Sequence, residues 1–216
     1  EAPEEFVAKW ADKPKVGYNH KVYPAMLETM DLAIARVLAE LKKLEIEEET
    51  FVVFTSDNGP FGGVGDARPL RGDKGHLYEG GIRVPLIVRW PGTVPSKEVN
   101  HHISGFQDMF PTLLELARIK SNHKVDGISM VPTLLGKKGQ RQHDYLYWEF
   151  GERGGAKAVL KGNWKGVRRN TRRNPNSPIE IYNLKNDLAE TTNLAGIQKK
   201  LLKEFKAVLK REHVAQ

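Results

Sequence analysis

The feature that most constrains the fold is a short apolar run that ends abruptly in polar residues. Residues 51–56 read Phe-Val-Val-Phe-Thr-Ser, and Asp57, Asn58 and Gly59 follow directly. An apolar, β-branched segment bounded by a turn sequence predicts a buried strand of a parallel sheet. Open α/β sheets place their sites beyond the carboxyl ends of such strands. The run therefore predicts a candidate site at Asp57 and Asn58.

A glycine-rich loop follows this run and carries a lysine. Lys74 lies near the end of residues 59–75, ahead of a second apolar run, Val84 to Trp90. A connection of this length is more typical of function than of packing. Carboxylate and amide oxygens suit a hard cation, and an ammonium group suits an anion. We therefore expect cation and anion binding in one region.

Length permits a folded chain, and composition excludes some chemistry. A chain of 216 residues can bury roughly 70% of its unfolded surface without a disulfide or zinc ion. The absence of cysteine rules out thiol catalysis and Cys-based metal sites, but leaves the redox compartment open. No apolar run approaches the roughly 18 residues of a membrane span, so none is predicted.

Hydrophobic periodicity predicts an α/β part followed by an antiparallel part, which we place at residues 1–140 and 141–216. The first part has a helix over Tyr23–Leu44 with one buried stripe, the two strands, a short strand near His102–Ser104, and a helix from Gln107 or Asp108 to Ile119. The second has strands over Tyr145–Phe150, Ala156–Lys161, Trp164–Arg168 and Ile179–Leu184, and a helix over Ile197–Glu212. We predict a small sheet covered on one side.

The net charge of +7 is concentrated in one segment. The basic residues of this segment are Lys161, Lys165, Arg168, Arg169, Arg172 and Arg173. Asn and Pro interrupt them, which predicts a hairpin with a basic loop. This basic segment, residues 161–173, is either a solvated loop or a contact for a polyanion such as a sulfated glycan. Nucleic acid is disfavoured because Trp164 is its only aromatic residue.

Several short motifs in this order resemble the sulfatase family of the alkaline-phosphatase-like superfamily. They are Phe54-Thr55-Ser56-Asp57-Asn58-Gly59, Leu70-Arg71-Gly72-Asp73-Lys74-Gly75, Tyr78-Glu79-Gly80-Gly81-Ile82-Arg83-Val84-Pro85, Trp90-Pro91-Gly92, Asp108-Met109-Phe110-Pro111-Thr112-Leu113, Asp126-Gly127-Ile128-Ser129, Gly162-Asn163-Trp164-Lys165, and Ile181-Tyr182-Asn183-Leu184 with Glu190 and Asn193-Leu194. The ordered series carries the resemblance, which spans roughly residues 23–195.

The resemblance implies a fold, a reaction and three site residues. The fold is the carboxy-terminal part of an α/β sandwich, followed by a small antiparallel sheet with a closing helix. The activity is calcium-dependent hydrolysis of sulfate esters of small molecules or glycans. Asp57 and Asn58 match two calcium ligands, and Lys74 matches the lysine that holds the sulfate. A periplasmic or secreted location is also implied.

The sequence also departs from the family pattern. The family's nucleophile is a formylglycine made within a Cys/Ser-x-Pro-x-Arg motif, and this chain contains no such motif. The first acidic calcium pair is absent too, and His20 does not match the family's histidine. We therefore expect a carboxy-terminal portion that is inactive alone, with the nucleophile and remaining calcium ligands on a missing amino-terminal part of the same protein.

Other polar residues near Lys74 have weaker assignments. His76 is a second candidate for substrate binding, although a lone histidine in a glycine loop is usually a surface group. Glu79 and Arg83 are expected to pair across the Gly80-Gly81 turn. The loop residues Asp66, Arg68 and Arg71 are candidates for substrate selection. A zinc site at His101 and His102 is disfavoured because no partner stands at metal-ligand spacing.

Two alternative functions stay open at this point. The first is a phosphodiesterase or phosphonate hydrolase of the same superfamily. The second is a non-catalytic polyanion-binding module that uses the basic segment. Assays on sulfate and phosphate esters separate the first alternative from a sulfatase, and salt-dependent, metal-independent glycan binding would favour the second.

Overall fold

The fold was obtained as a computed structural model, which describes residues 2–13 and 21–214; His20 lies outside them. The helices are α1 (Glu4–Lys9), α2 (Val22–Lys43), α3 (Glu79–Ile82), α4 (Met109–Leu116), α5 (Val131–Leu134) and α6 (Lys199–Arg211). The strands are β1 (Val52–Thr55), β2 (Leu86–Arg89), β3 (Leu146–Phe150), β4 (Ala156–Lys161), β5 (Trp164–Arg169) and β6 (Ile179–Asn183). Single 3₁₀ turns cover Glu47–Glu49 and Phe106–Asp108.

Strands β1 and β2 form a two-stranded antiparallel sheet, with Val53 opposite Val88. The prediction of a buried parallel strand was therefore wrong. A long loop and the single turn of α3 connect the two strands, and the chain reverses direction instead of making the helical crossover that parallel pairing requires. Phe54, Leu86 and Ile87 are exposed on this sheet.

The predicted antiparallel meander is confirmed as a four-stranded sheet in the order β3-β4-β5-β6. Its side chains alternate between two faces. On one face Val159 and Ile181 pack against Phe205 of α6, as the predicted closing helix requires. On the other face Val167 and Tyr182 form one buried cluster with Leu77 and Tyr78, which precede α3. The expectation of a one-sided cover was wrong, because the loop that carries Lys74 covers the second face.

The longer predicted helices are confirmed as α2, α4 and α6, each within a few residues of its predicted ends. The predicted strand at His102–Ser104 is not formed. The Asn100 side chain accepts a hydrogen bond from the His102 backbone N–H at 2.7 Å. Such local bonds compete with strand pairing, and His102 lies in an irregular segment instead.

The apolar stripe of α2 was predicted to be buried, but it is largely exposed. Leu27, Met30 and Val37 are 43%, 45% and 59% exposed, and Ala25 is the buried residue of this helix. An exposed apolar stripe of this size is typical of a surface that binds another polypeptide. Among the described residues, no helix combines the length and apolarity needed to cross a membrane.

Candidate active site

The structure brings the three predicted site residues to one cavity. Asp57 and Asn58 follow the end of β1, and Lys74 projects from the loop between β1 and α3. All three line an open cavity of about 1490 Å³. His76 and Arg153 lie on the same wall. The cavity therefore collects two oxygen donors and several cationic or titratable groups.

Backbone contacts hold the two site loops together. The Gly59 N–H donates to Gly81 O at 2.9 Å, and the Lys74 N–H donates to Pro60 O at 2.9 Å. A Cβ added at Gly59 would lie 1.8 Å from Gly80 O, a distance that no side chain tolerates. Glycine at position 59 is thus required by the close approach of the α3 turn, which sets the spacing between Asp57 and Lys74.

The site side chains are free to bind a ligand. Within residues 2–13 and 21–214, no hydrogen bond or ion pair engages the Asp57 carboxylate, the Asn58 amide or the Lys74 ammonium group. Asp57 and Lys74 are exposed, and Asn58 is half-buried. A charged group that contributes no structural contact and faces a cavity is well placed for a ligand of opposite charge.

His76 is held by a hydrogen bond on the cavity wall. Its Nδ1 lies 2.9 Å from Asp73 Oδ1, and the same carboxylate oxygen accepts a hydrogen bond from Arg153 Nη1 at 2.9 Å. The ring is half-buried. His76 is therefore oriented by a neighbour that is not part of the predicted site, while one edge of its ring stays on the cavity wall.

Arg71, three residues before Lys74, fastens the Lys74 loop to the four-stranded sheet. Its guanidinium lies 3.9 Å from the centroid of the Tyr78 ring and donates to Tyr182 Oη at 2.8 Å and to Glu190 O at 2.9 Å. Burial, followed by the hydrogen bond to Glu180, raises the pKa of Tyr182 to about 12, so its hydroxyl stays protonated. Arg71 is thus engaged by these partners and does not line the cavity.

The carboxyl end of the loop is fastened by a buried ionic triad of Glu79, Lys165 and Glu190. Lys165 Nζ lies 2.8 Å from Glu79 Oε1 and 3.1 Å from Glu190 Oε1. The Glu79 N–H donates to Glu190 Oε2 at 2.6 Å. Lys165 and Glu190 have no exposed surface. Glu79 also pairs with Arg83 at 3.2 Å, which confirms the predicted pairing across the Gly80-Gly81 turn.

The triad and Arg153 were not identified from the sequence. The sequence did contain a signal for Lys165. It lies two positions before Val167 in the same strand, so the two side chains point to the same face of the sheet, and Val167 is buried. A lysine at an inward position requires a buried carboxylate. Its partners lie 86 and 25 positions away in sequence, at Glu79 and Glu190, and no local spacing connects them. Arg153 enters the site through tertiary structure alone.

The basic segment is confirmed as a hairpin, formed by β5 and β6, but its charges do not act together. Lys165 is buried in the triad, and Arg169 pairs with Glu180 at 3.2 Å. Arg168 donates to Pro175 O, and burial lowers its pKa. Arg172 and Arg173 stay exposed at the hairpin tip. The charges of the basic segment are therefore divided between the interior and the hairpin tip, and the two alternatives, a solvated loop or a polyanion contact, stay open for the tip.

The loop residues Asp66 and Arg68 also have structural partners. Arg68 Nε donates to Asp66 Oδ2 at 2.8 Å, and this contact lowers the pKa of Asp66 to about 2. Neither residue lines the cavity. His102 does line it, but within the described part of the chain no group of three or more His, Asp or Glu side chains is arranged to hold a metal ion.

Two family profiles match this chain. The Sulfatase profile matches residues 2–119, and the profile described as N-sulphoglucosamine sulphohydrolase, C-terminal, matches residues 71–215. The two matches overlap over residues 71–119, which include Lys74 and α3.

Individual relatives and a solved structure agree with the profiles. A protein named sulfatase from Formosa agariphila is 35% identical over 214 residues, covering 87% of this chain and 38% of its own length. Steryl-sulfatase from Rattus norvegicus is 39% identical over 140 residues, covering 59% of this chain and 24% of its own length. The chain thus spans about a quarter to two-fifths of these relatives. The crystal structure of Ps i-CgsB, also known with k-i-k-neocarrahexaose, superposes with a TM-score of 0.85 at 26% identity, covering 98% of this chain and 46% of the other.

Proposed function

The chain belongs to the sulfatase family, and from this membership we propose that it forms the carboxy-terminal portion of an enzyme that hydrolyses sulfate esters. The observation that carries the proposal is the cavity on which Asp57, Asn58 and Lys74 stand together with free side chains. The matched profile name, N-sulphoglucosamine sulphohydrolase, supports a sulfated sugar as the substrate class.

Calcium fits the oxygen donors as a partial site. Asp57 and Asn58 offer a carboxylate and an amide oxygen at adjacent positions on the cavity. Calcium takes six to eight oxygen ligands, so these two residues would form one side of the coordination shell. The bound ion would neutralise charge on the sulfate oxygens. Asp57 and Asn58 would hold this ion in the cavity that Lys74 also lines.

Lys74 has the position and freedom needed to hold the sulfate. Its ammonium group is exposed on the cavity and has no acceptor among the described residues. A charge-assisted hydrogen bond from Lys74 would orient the sulfate and stabilise negative charge that grows on the leaving oxygen. His76, held by Asp73, would contact the substrate beside it.

We propose that an additional polypeptide segment completes the site. The formylglycine nucleophile of the family and the remaining calcium ligands would come from that segment, so the 216-residue chain would be inactive alone. The exposed apolar side chains of α2 and of the β1-β2 sheet support this proposal, since they offer a surface for packing. The test is turnover by the complete enzyme of matched sulfate and phosphate esters: hydrolysis of phosphate esters alone would overturn the proposal.

Replacement of Asp57 by alanine is expected to weaken calcium binding and activity of the complete enzyme, each by about 10²-fold, because a charged ligand is lost. Calcium affinity is measured by calorimetry, and turnover is measured on one sulfate ester. Asp66→Ala is the matched control, since it removes a loop carboxylate outside the cavity. Unchanged calcium affinity in Asp57→Ala would refute the assignment, and submicromolar calcium binding by the chain alone would refute the partial site.

The hairpin tip is expected to assist binding of long polyanions. Changing Arg172 and Arg173 together to glutamine should raise KM for a sulfated oligosaccharide about threefold to tenfold at low salt, with a smaller effect at high salt because exposed charges are screened. Lys137 and Lys138, changed to glutamine, are the control pair on a different exposed loop. Equal KM values for the tip variant and wild type at low ionic strength would identify the tip as a solvated loop.

A further inference from the structure

Arg153 reaches the Lys74 loop from the turn between β3 and β4. Its backbone has a φ of +50°, and Gly154 and Gly155 follow with φ of +87° and +80°. This left-handed turn folds the side chain onto Gly75, where an added Cβ would lie 2.9 Å from Arg153 Nε. The guanidinium therefore packs directly against the residue that follows Lys74.

The guanidinium is anchored at one nitrogen and free at the others. Nη1 donates to Asp73 Oδ1 at 2.9 Å and lies 3.4 Å from His76 Nδ1. Within residues 2–13 and 21–214, Nε and Nη2 have no hydrogen-bond acceptor. The side chain is 44% exposed. A half-exposed pair with Asp73 adds little to stability, so its main effect is to orient the remaining donors.

The surroundings of Arg153 suit a compact anion. Arg153 lines the large cavity with Lys74, and it also lines an adjoining cavity of about 80 Å³. Arg169 and Asn170 stand on the wall of the smaller cavity, and Glu152 contributes one opposing charge. Arginine recognises carboxylate and sulfate-like oxygens through paired N–H donors.

We propose that Arg153 determines specificity by binding a second anionic group on the saccharide whose sulfate ester is held at Lys74. This inference rests on the proposed function. The second group presents anionic oxygens, as a sulfate or as a carboxylate of the same or the neighbouring sugar. Substrates with two anionic groups would therefore be preferred over those with one.

The test compares saccharides that share a scissile sulfate ester and carry a second sulfate, a carboxylate or no further charge. In the complete enzyme, Arg153→Gln should reduce the kcat/KM preference for doubly charged substrates by about 10- to 100-fold. Arg153→Lys should recover part of the preference, since it keeps the charge without the planar fork. Arg141→Gln removes an exposed arginine outside both cavities and should keep the wild-type preference. Whichever substrate, the one with a second sulfate or the one with a carboxylate, shows the larger fall in kcat/KM in Arg153→Gln identifies the second group.

Calorimetric binding of the same saccharides separates this inference from the proposed function. If the wild type binds doubly charged saccharides more tightly and Arg153→Gln abolishes this preference, the inference is supported. Failure of the wild-type enzyme to cleave any of the esters would refute only the proposed function. Turnover by the wild type without any preference overturns the inference. An equal loss on all substrates in Arg153→Gln also overturns it, because Arg153 would then act through Asp73 alone.

Discussion

Replacement of Lys74 by alanine is expected to lower turnover of a sulfate ester by the complete enzyme by about 10²- to 10³-fold. The proposed role explains this magnitude: a preorganised cation that meets growing negative charge contributes most in the transition state, so its loss lowers kcat. Lys74→Arg should not restore the rate, because a planar guanidinium cannot occupy the position of a compact ammonium group at a tight anion site.

The structure provides a folding control for the Lys74 variants. The side chain is exposed and makes no hydrogen bond or ion pair with described residues that its removal would break. The melting temperature of Lys74→Ala should therefore equal that of wild type, while turnover on the same ester falls. Turnover within about threefold of wild type would identify Lys74 as a solvated loop residue, since loss of one charge contact in a site should have a much larger effect.

Replacement of Lys165 by methionine is expected to lower the free energy of unfolding by about 3–5 kcal/mol at neutral pH. The substitution leaves the Glu79 and Glu190 carboxylates in the interior without their shared cation. Lys161→Met is the matched control, because Lys161 lies on the neighbouring strand and pairs with Glu204 at the surface. Its loss should change the free energy of unfolding by about 1 kcal/mol or less. Urea denaturation measures both.

The pH dependence of the stability lost in Lys165→Met tests whether unpaired buried carboxylates cause the loss. Burial raises the pKa of Glu190 above its usual value of 4.5, although Lys165 opposes the shift. A raised carboxyl pKa means that the folded state holds a proton that the unfolded state releases, so stability falls as the pH rises from about 4.5. Without Lys165 the buried Glu190 carboxylate is tolerated only when protonated. The deficit of Lys165→Met should therefore shrink as the pH falls towards 4.5, and a deficit that does not change with pH would contradict the ionic explanation.

Local patterns predicted much of the fold and less of its arrangement. Period-two alternation identified β3 to β6, and the stripe at Leu201, Phe205 and Val208 identified α6, because both elements bury a face that the chain itself covers. The apolar run of β1 was read as a buried parallel strand. The composition of a segment indicates whether it is buried but not the direction of the strand beside it. The sequence therefore predicted β2 as a strand but not its antiparallel pairing with β1.

The same contrast holds for the candidate site: local motifs marked some of its residues, and tertiary structure alone brings in others. Asp57, Asn58 and Lys74 were identified because short motifs mark them, and the structure places them on one cavity. Arg153 was not identified, since its position depends on a hairpin turn that packs against Gly75 from 78 residues away. Charge alone left the basic segment open between a solvated loop and a polyanion contact. Alternation along β5 turns Lys165 inward, while Arg172 and Arg173 remain outside.

The buried triad also restricts when the Lys74 loop can be fixed in place during synthesis. Glu79 and Glu190 are 111 positions apart, so the carboxyl end of the Lys74 loop has no Glu190 to bind when it leaves the ribosome. Strands β4 to β6 and the turn that follows them must be translated before this contact can form. Elements fold as they emerge, and contacts between distant segments come last. A polypeptide that terminates before Glu190 retains every predicted catalytic residue of this chain but lacks the contact that fixes their loop.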